Sequence, residues 1–453
     1  MKQTKIINDF TEGSILKKIL LFSVPFMISN GLQVFYSLVD MVVVGQFVGS
    51  FGLSAVSISS QIFTFMTMLC IGFSNGGQVY IAQLIGANRR DKLNRAIGTL
   101  FTIVLSMGVV IALLGVFLGQ MLLRVMNTPP ESYRMAWDYL LVCSLGVVFT
   151  YGYNMVSSVL RGMGDSRHPF IFVVIASFIN LALDLLFVGV FRWGTAGAAL
   201  ATIIGQSFSF LYAIFYLYRH RTAFGFDFKP ANWIPENEIA KKLCVLGIPF
   251  AVQGAAVNIS MLYVNTLVNG VGVYASAVFG VGLKVDDIVN KITHGILYAC
   301  SAMVGQNVGA KRYDRAQETI YWGWAICGVC YLLFALILVF WSEPLYSLFT
   351  TDREVIELSP IFVRAILWSF PAMAIMRGTN GLIQGIGNSR LSLIFGLVDA
   401  LVLRIGLSYL FGIFMGLGLY GFILGYGIAA FGTALPGAVY FLSGRWKRYN
   451  RLA

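Results

Sequence analysis

Twelve apolar runs, each long enough to cross a bilayer as a helix, dominate this chain of 453 residues. They centre near Phe26, Met66, Val109, Val147, Ala176, Phe208, Val257, Ile292, Val329, Pro371, Leu401 and Leu424. A spanning helix needs about 20 apolar residues, because its backbone N–H and C=O groups must satisfy one another once water is gone. The expected fold is therefore an all-α polytopic membrane protein with twelve transmembrane helices and short loops. Composition agrees, with 58% hydrophobic and 11% charged residues against about 25% charged in a soluble domain. A soluble globular enzyme, a disordered chain and a secreted disulfide scaffold are excluded. Pro25 and Pro249 fall inside spans one and seven, where a missing N–H allows a bend.

The net charge of +12 is mostly topology. The N-terminus (Lys2, Lys5, Lys17, Lys18), the even-numbered loops and the C-terminus (Arg445, Lys447, Arg448, Arg451) hold 23 of the 32 Lys and Arg residues. The opposite side holds Arg124, Arg134, Arg192, Arg353 and Arg364, and only Lys284, Lys291, Arg377 and Arg404 lie within spans. Such a bias places both termini in the cytoplasm. No basic-aromatic interleaving points to nucleic acid. Met1 to Glu12 is polar, and the first apolar run is too long for a cleavable signal peptide, so it reads as a span. Cys327 and Cys330 form a C-x-x-C inside an apolar run, without a second pair or a nearby His. They and the other four cysteines read as small core residues.

The chain repeats itself. Gln83-Leu-Ile-Gly-Ala-Asn-Arg89 matches Gln306-Asn-Val-Gly-Ala-Lys-Arg312, and Gly162-Met-Gly164 matches Gly385-Ile-Gly387, both at an offset of 223. Pro25 matches Pro249, and Gly194 and Gly197 match Gly418 and Gly421, at 224. An even number of spans per half gives a parallel repeat about an axis along the membrane normal. The division expected from this is an N-terminal lobe over 1–218, a cytoplasmic linker over 219–241 and a C-terminal lobe over 242–453.

Ionisable residues inside spans are costly and are functional candidates by default. Asp40 in span one has no Lys or Arg within a helical turn or two. Asp184 in span five lies four residues after Asn180, so the two share a helix face, and Thr202 lies across a short turn in span six. The repeat acts as a control: Tyr263 or Val264 stands opposite Asp40, and Leu407 opposite Asp184. Acids that only held the fold together would be expected in both halves, so their one-sidedness points to a protonatable or cation-binding site in the first half. In the second half, Lys284, Asp287 and Lys291 have the spacing of a structural ladder. Asp399 and Arg404 are five apart, an awkward spacing for direct pairing on an α-helix. Asp286 faces away from the lysines and is a candidate for the substrate cavity. No phosphate loop, zinc spacing or catalytic Ser motif is present. An enzyme is therefore not expected, no cofactor is implied, and an ion gradient or a partner must supply the energy.

These residues resemble the multidrug and toxic compound extrusion (MATE) transporters over essentially the whole chain. The resemblance is carried by Val39-Asp40-Met-Val-Val-Val-Gly45, Gln83 to Ala87 with its twin, Leu160-Arg-Gly-Met-Gly-Asp-Ser-Arg167, Asn180-Leu-Ala-Leu-Asp184 and Gly194 to Thr202. It looks closest to the DinF-type branch. It implies two six-helix lobes with a central cavity and antiport of organic, mostly cationic or amphipathic compounds against H⁺ or Na⁺. In that branch the ion site would use Asp40, Asn180, Asp184, Thr202 and Tyr139, with Pro25 as a hinge, and any Na⁺ would sit at Asp40, Asn180, Asp184 and Thr202. Gln33 and Asn154 match positions similar to cavity-lining ones. The NorM-type branch uses acids in spans seven and ten, where this chain has Asn258, Asn265, Arg377 and Asn380. The expected setting is a prokaryotic plasma membrane, the expected state a monomer, and the partners small organic substrates and lipid. A lipid or lipid-linked saccharide flippase is the alternative reading.

Overall fold

The computed structural model describes residues 8–350 and 352–449. Lys2, Lys5 and Arg451, which enter the charge count, lie outside them. The described chain is helical throughout, with no strand among the described residues. The long helices are α1 (Ile15–Phe47), α2 (Ser50–Gly86), α3 (Arg90–Val125), α4 (Pro130–Gly162), α5 (Arg167–Val190) and α6 (Gly194–Arg219). The second half repeats them as α7 (Asn237–Asn269), α8 (Val273–Gly309), α9 (Tyr313–Ser347), α10 (Arg353–Gly385), α11 (Ser389–Phe414) and α12 (Gly418–Leu442).

Eleven of these are apolar and long enough to cross a membrane. The remaining one, α8, has the length but carries Lys284, Asp286, Asp287 and Lys291 within its middle, which dilutes its hydropathy. Large apolar side chains stand outward on many helices, among them Phe117, Val190, Phe340 and Phe414. In water such a surface would drive aggregation; in a bilayer it is the solvated face.

The chain packs as two compact units. One holds Ile28–Ala251 with Asn8 and Asp9, and the other holds Phe10–Met27 and the described residues from Val252 onward. This differs from the division read from sequence. The segment 219–241 packs within the first unit, and α1 and α7 each change unit two residues after a proline, Pro25 and Pro249 respectively. The physical reason is burial. Phe10, Ile15, Ile19, Phe22 and Phe26 form one core with Ala299, Ala302 and Met303 of α8. Gly295 lets α1 come close, since a Cβ there would lie 3.1 Å from the Phe26 Cβ and the Ser23 carbonyl. Its repeat twin, Gly72 in α2, does the same for α7: a Cβ would lie 2.6 Å from the Gly247 carbonyl and the Ala251 nitrogen.

The repeated motifs are turns and clasps. Gly164 and Gly387 hold φ values of +82° and +76°, a conformation that side-chain-bearing residues disfavour. After the first turn, Asp165 Oδ1 accepts from the Arg167 and His168 N–H groups at 3.0 and 3.2 Å, capping α5, and Oδ2 pairs with His168 Nδ1 at 2.6 Å. After the second turn, Asn388 caps α11 through the Leu391 N–H. The Gln306 motif seats the chain entering α1: Gln306 Oε1 accepts from the Phe10 N–H at 2.9 Å, and Arg315 Nη2 donates to the Glu12 and Gly13 carbonyls. In the first unit the segment before α7 docks on α3 in the same manner, through Arg95 to the Ala231 carbonyl and Thr102 to the Trp233 carbonyl.

Candidate ion and substrate sites

In the first unit α5 and α6 run close together because Gly205 has no side chain. A Cβ there would lie 2.9 Å from the Ala176 carbonyl and 3.4 Å from the Asn180 Cβ. This approach lets Asn180 Nδ2 donate to Thr202 Oγ1 at 3.3 Å, while the Thr202 hydroxyl donates to the Ala198 carbonyl at 3.1 Å. Asp184, one turn along α5, is 1% exposed and stands beside Asp40 of α1 and beside Asn180. Directly after it α5 winds into a π-helix over Leu185–Val190. Tyr139 of α4 is buried and faces both carboxyl groups and Ser60. Apolar packing encloses the group: Val43, Val44, Val56, Cys143, Val188, Ala198 and Ala199 form one cluster with Tyr139.

The chemistry is unusual. One oxygen of Asp40 and both oxygens of Asp184 are sealed from solvent and accept no hydrogen bond among the described residues. No ion pair among the described residues involves either acid. Two carboxyl groups side by side in an apolar setting repel unless a proton or a cation lies between them. The donor set fits both: carboxyl, amide and hydroxyl oxygens suit a hard cation, and two adjacent carboxyls suit one shared proton.

The five residues named as an ion site thus share one place in the first unit. Sequence reading missed Tyr36, whose phenol faces Asp40, Asp184 and Tyr153. The signal was available, since Tyr36 lies four residues before Asp40 on the same helix face. Pro25 groups with the second unit. Gln33 and Asn154 are half-buried, and Asn154 Nδ2 bonds the Thr150 carbonyl of its own helix at 2.8 Å.

Asp286 belongs to the second unit. It is 4% exposed, and its carboxylate accepts from Asn290 Nδ2 at 2.7 Å. The expected ladder on α8 does not form: Asp287 makes no ion pair among the described residues, and both it and Lys284 are exposed. Exposed pairs gain little over hydration. Asp399 and Arg404 do pair, with Nη2 donating to Oδ2 at 2.8 Å and both side chains buried. The α-helical spacing argument fails because Val398–Arg404 is a π-helix, whose i to i+5 winding stacks residues five apart. Arg404 also lies 4.9 Å from the centre of the Tyr426 ring.

Twelve long helices built from a six-helix repeat, with acids buried inside both units and the first-unit pair lacking an ion-pair partner among the described residues, have the architecture of a membrane transporter. The profile of the MatE family matches residues 25–186 and 249–410, two copies offset by 224 residues. The chain belongs to the MATE family. It is 30% identical over 439 residues to the "Probable multidrug resistance protein YpnP" of Bacillus subtilis (strain 168), covering 97% of each chain. It is 26% identical to the "Probable multidrug resistance protein NorM" of Thermotoga maritima, covering 96% of this chain and 94% of that one. Among solved structures, an outward-facing multidrug resistance MATE transporter of the MOP superfamily shares the fold with a TM-score of 0.92 over 99% of both chains, at 24% identity.

Proposed function

We propose that this protein is a secondary antiporter of the DinF-type branch that exports organic, mostly cationic or amphipathic compounds in exchange for H⁺ or Na⁺. Its place would be the plasma membrane, with both termini in the cytoplasm, and it would work by alternating access. The observation that carries this reading is the pair of neighbouring carboxyl groups, Asp184 buried and Asp40 half-buried, with no ion pair to either among the described residues.

The roles follow from the geometry. A proton or Na⁺ arriving between Asp40 and Asp184 removes their repulsion and draws α1 toward α5. Asn180 and Thr202 hold α5 on α6 and supply neutral oxygens. Tyr36 and Tyr139 present phenols to the same acids and keep water out. Pro25 leaves one carbonyl of α1 without its helical partner, so α1 is the element able to bend as the charge at Asp40 changes. Ion release restores the repulsion and returns α1. The membrane potential contributes about 2.3 kcal/mol per charge per 100 mV to such a cycle. The relatives named as multidrug resistance proteins supply the substrate class.

Dye efflux from proteoliposomes under an imposed pH gradient or an imposed Na⁺ gradient, one at a time, tests this reading and selects the ion. Asp40→Asn is expected to abolish gradient-driven efflux while the protein still inserts and folds. Undiminished efflux by that variant overturns the assignment.

A further inference from the structure

The second unit contains a buried guanidinium that the ion site does not use. Asp286, Asn290 and His294 follow one another at four-residue intervals and form a stripe along α8. Arg377 of α10 bonds to this stripe and is 7% exposed. Its Nη2 donates to Asn290 Oδ1 at 2.8 Å and its Nη1 to His294 Nε2 at 3.1 Å. His294 Nδ1 lies 2.7 Å from the Asn290 carbonyl. A carbonyl can only accept, so the ring proton is on Nδ1 and Nε2 is the acceptor for Arg377. Asn290 is fully engaged: its amide also donates to Asp286 Oδ2, and its Oδ1 also accepts from the Tyr331 hydroxyl at 3.1 Å.

What the guanidinium lacks is a directly bonded anion. No carboxylate lies within ion-pair distance of Arg377 among the described residues; Asp286 interacts with it electrostatically across the Asn290 amide that bridges them. Its Nε–H is buried without an acceptor. Leaving a charge without a touching counter-charge in an apolar surround is costly. Asp399 and Arg404, in the same unit, show the alternative of a direct ion pair, although Arg404 Nε there is likewise buried without an acceptor. The groups that Arg377 bonds, Asn290 and His294, are partly exposed, and both present it with neutral acceptors that a stronger acceptor can replace. A carboxylate is that stronger acceptor, since it forms charge-assisted and often bidentate bonds with a guanidinium.

We propose that Arg377 anchors a binding site in the second unit for cargo bearing a carboxylate or a comparable acidic oxygen group. The acid displaces His294 Nε2 from Arg377, and Asn290 stays as the bridge that holds Arg377 apart from Asp286. The site extends the cargo range from cations to amphipathic compounds with an acidic group. It rests on the efflux reading above for its use, though not for its chemistry.

Purified protein in detergent is titrated into carboxyfluorescein and, separately, into ethidium, following fluorescence anisotropy. Wild type is expected to bind both dyes saturably, with benzoate competing for carboxyfluorescein and benzylamine failing to do so. Arg377→Gln should weaken carboxyfluorescein binding about tenfold to hundredfold, the size of a lost hydrogen bond to a charged group, and leave ethidium within about twofold. Arg377→Lys, which keeps the buried charge and loses the fork, should fall between them and covers the case in which the Gln variant does not fold. Absence of saturable carboxyfluorescein binding by wild type overturns the proposal, as does an equal loss for both dyes in a folded variant. Gradient-driven ethidium efflux by wild type in proteoliposomes separates the two readings. Carboxyfluorescein binding without ethidium efflux defeats the efflux reading and leaves the site standing; the reverse pattern defeats the site alone.

Discussion

At the scale of single residues, the informative groups are the charges that the bilayer makes expensive. Among the described residues, Asp40 and Asp184 make no ion pair, Arg377 touches no carboxylate, and Asp399 and Arg404 hold each other. The last pair gives a direct stability test. Arg404→Met strands a buried carboxylate, which typically costs about 3–5 kcal/mol. The double variant Asp399→Leu with Arg404→Met removes both charges and should recover most of that loss. Thermal unfolding of the four proteins in detergent, taken as a double-mutant cycle, measures the coupling. A double variant as unstable as the single one would mean that packing, not the charge, sets the cost. Sequence reading placed Asp399 and Arg404 in one span but argued against their contact, because it counted turns at α-helical pitch. Only the winding of Val398–Arg404 shows that five residues make one turn there.

At the scale of elements, the ion site depends on how closely two helices approach. Gly205 sets that distance. Gly205→Ala would press a methyl group onto the Ala176 carbonyl and the backbone of Asn180, so α5 must move by a few tenths of an ångström. The expected result is a folded protein with the Asn180–Thr202 bond broken and gradient-driven efflux reduced about tenfold or more, since misplacing a bound group by about 1 Å commonly costs far more than that. An efflux rate equal to wild type would show that the clasp is dispensable. The segment before α7 offers a second element-level test, outside the membrane. Asp227 accepts from Asn94 Nδ2 at 3.1 Å, from the Asn232 amide and from the Lys229 N–H, and it pairs with Lys229. These donors, with the Asn94 amide foremost, lower its carboxyl from 3.8 to about 2. A group held below its unfolded value stabilises the docked segment above about pH 4, and that help disappears as pH falls through about 2. Hydrogen exchange of residues 226–236, taken relative to the intrinsic rate at each pH, should therefore be slow at neutral pH and fast in strong acid. Asp227→Ala should show the fast exchange already at pH 7.

At the scale of the whole molecule, the repeat explains both likeness and asymmetry. The twin glycines at 72 and 295 seat the first parts of α7 and α1, and the family profile matches twice, at an offset of 224 residues. Each of those helices changes unit two residues after its proline. Replacing Pro249 with Ala restores a backbone N–H at the point where α7 changes unit, just as Pro25→Ala does in α1. Both variants are expected to keep or raise thermal stability and to slow transport severalfold, read as efflux rate against melting temperature. A transport rate unchanged in both would remove the prolines from the mechanism.

The linear chain already carries the membrane setting, the number of spans, the twofold repeat and the identity of the unusual acids. Those properties live in hydropathy, period and self-similarity, which are local or additive along the chain. It also brought Asp40, Asn180, Asp184, Thr202 and Tyr139 together as one candidate group, by helix spacing and family likeness. Tertiary structure alone decided which groups satisfy each other. It placed Tyr36 against both acids, gave Asp399 its arginine, put an Asn290 amide between Asp286 and Arg377, and assigned the first part of each α1-type helix to its unit. The reason is physical. Burial tendency is written into each residue, but a hydrogen bond or an ion pair depends on distances of a few tenths of an ångström, and those are fixed only when helices wind, bend and pack.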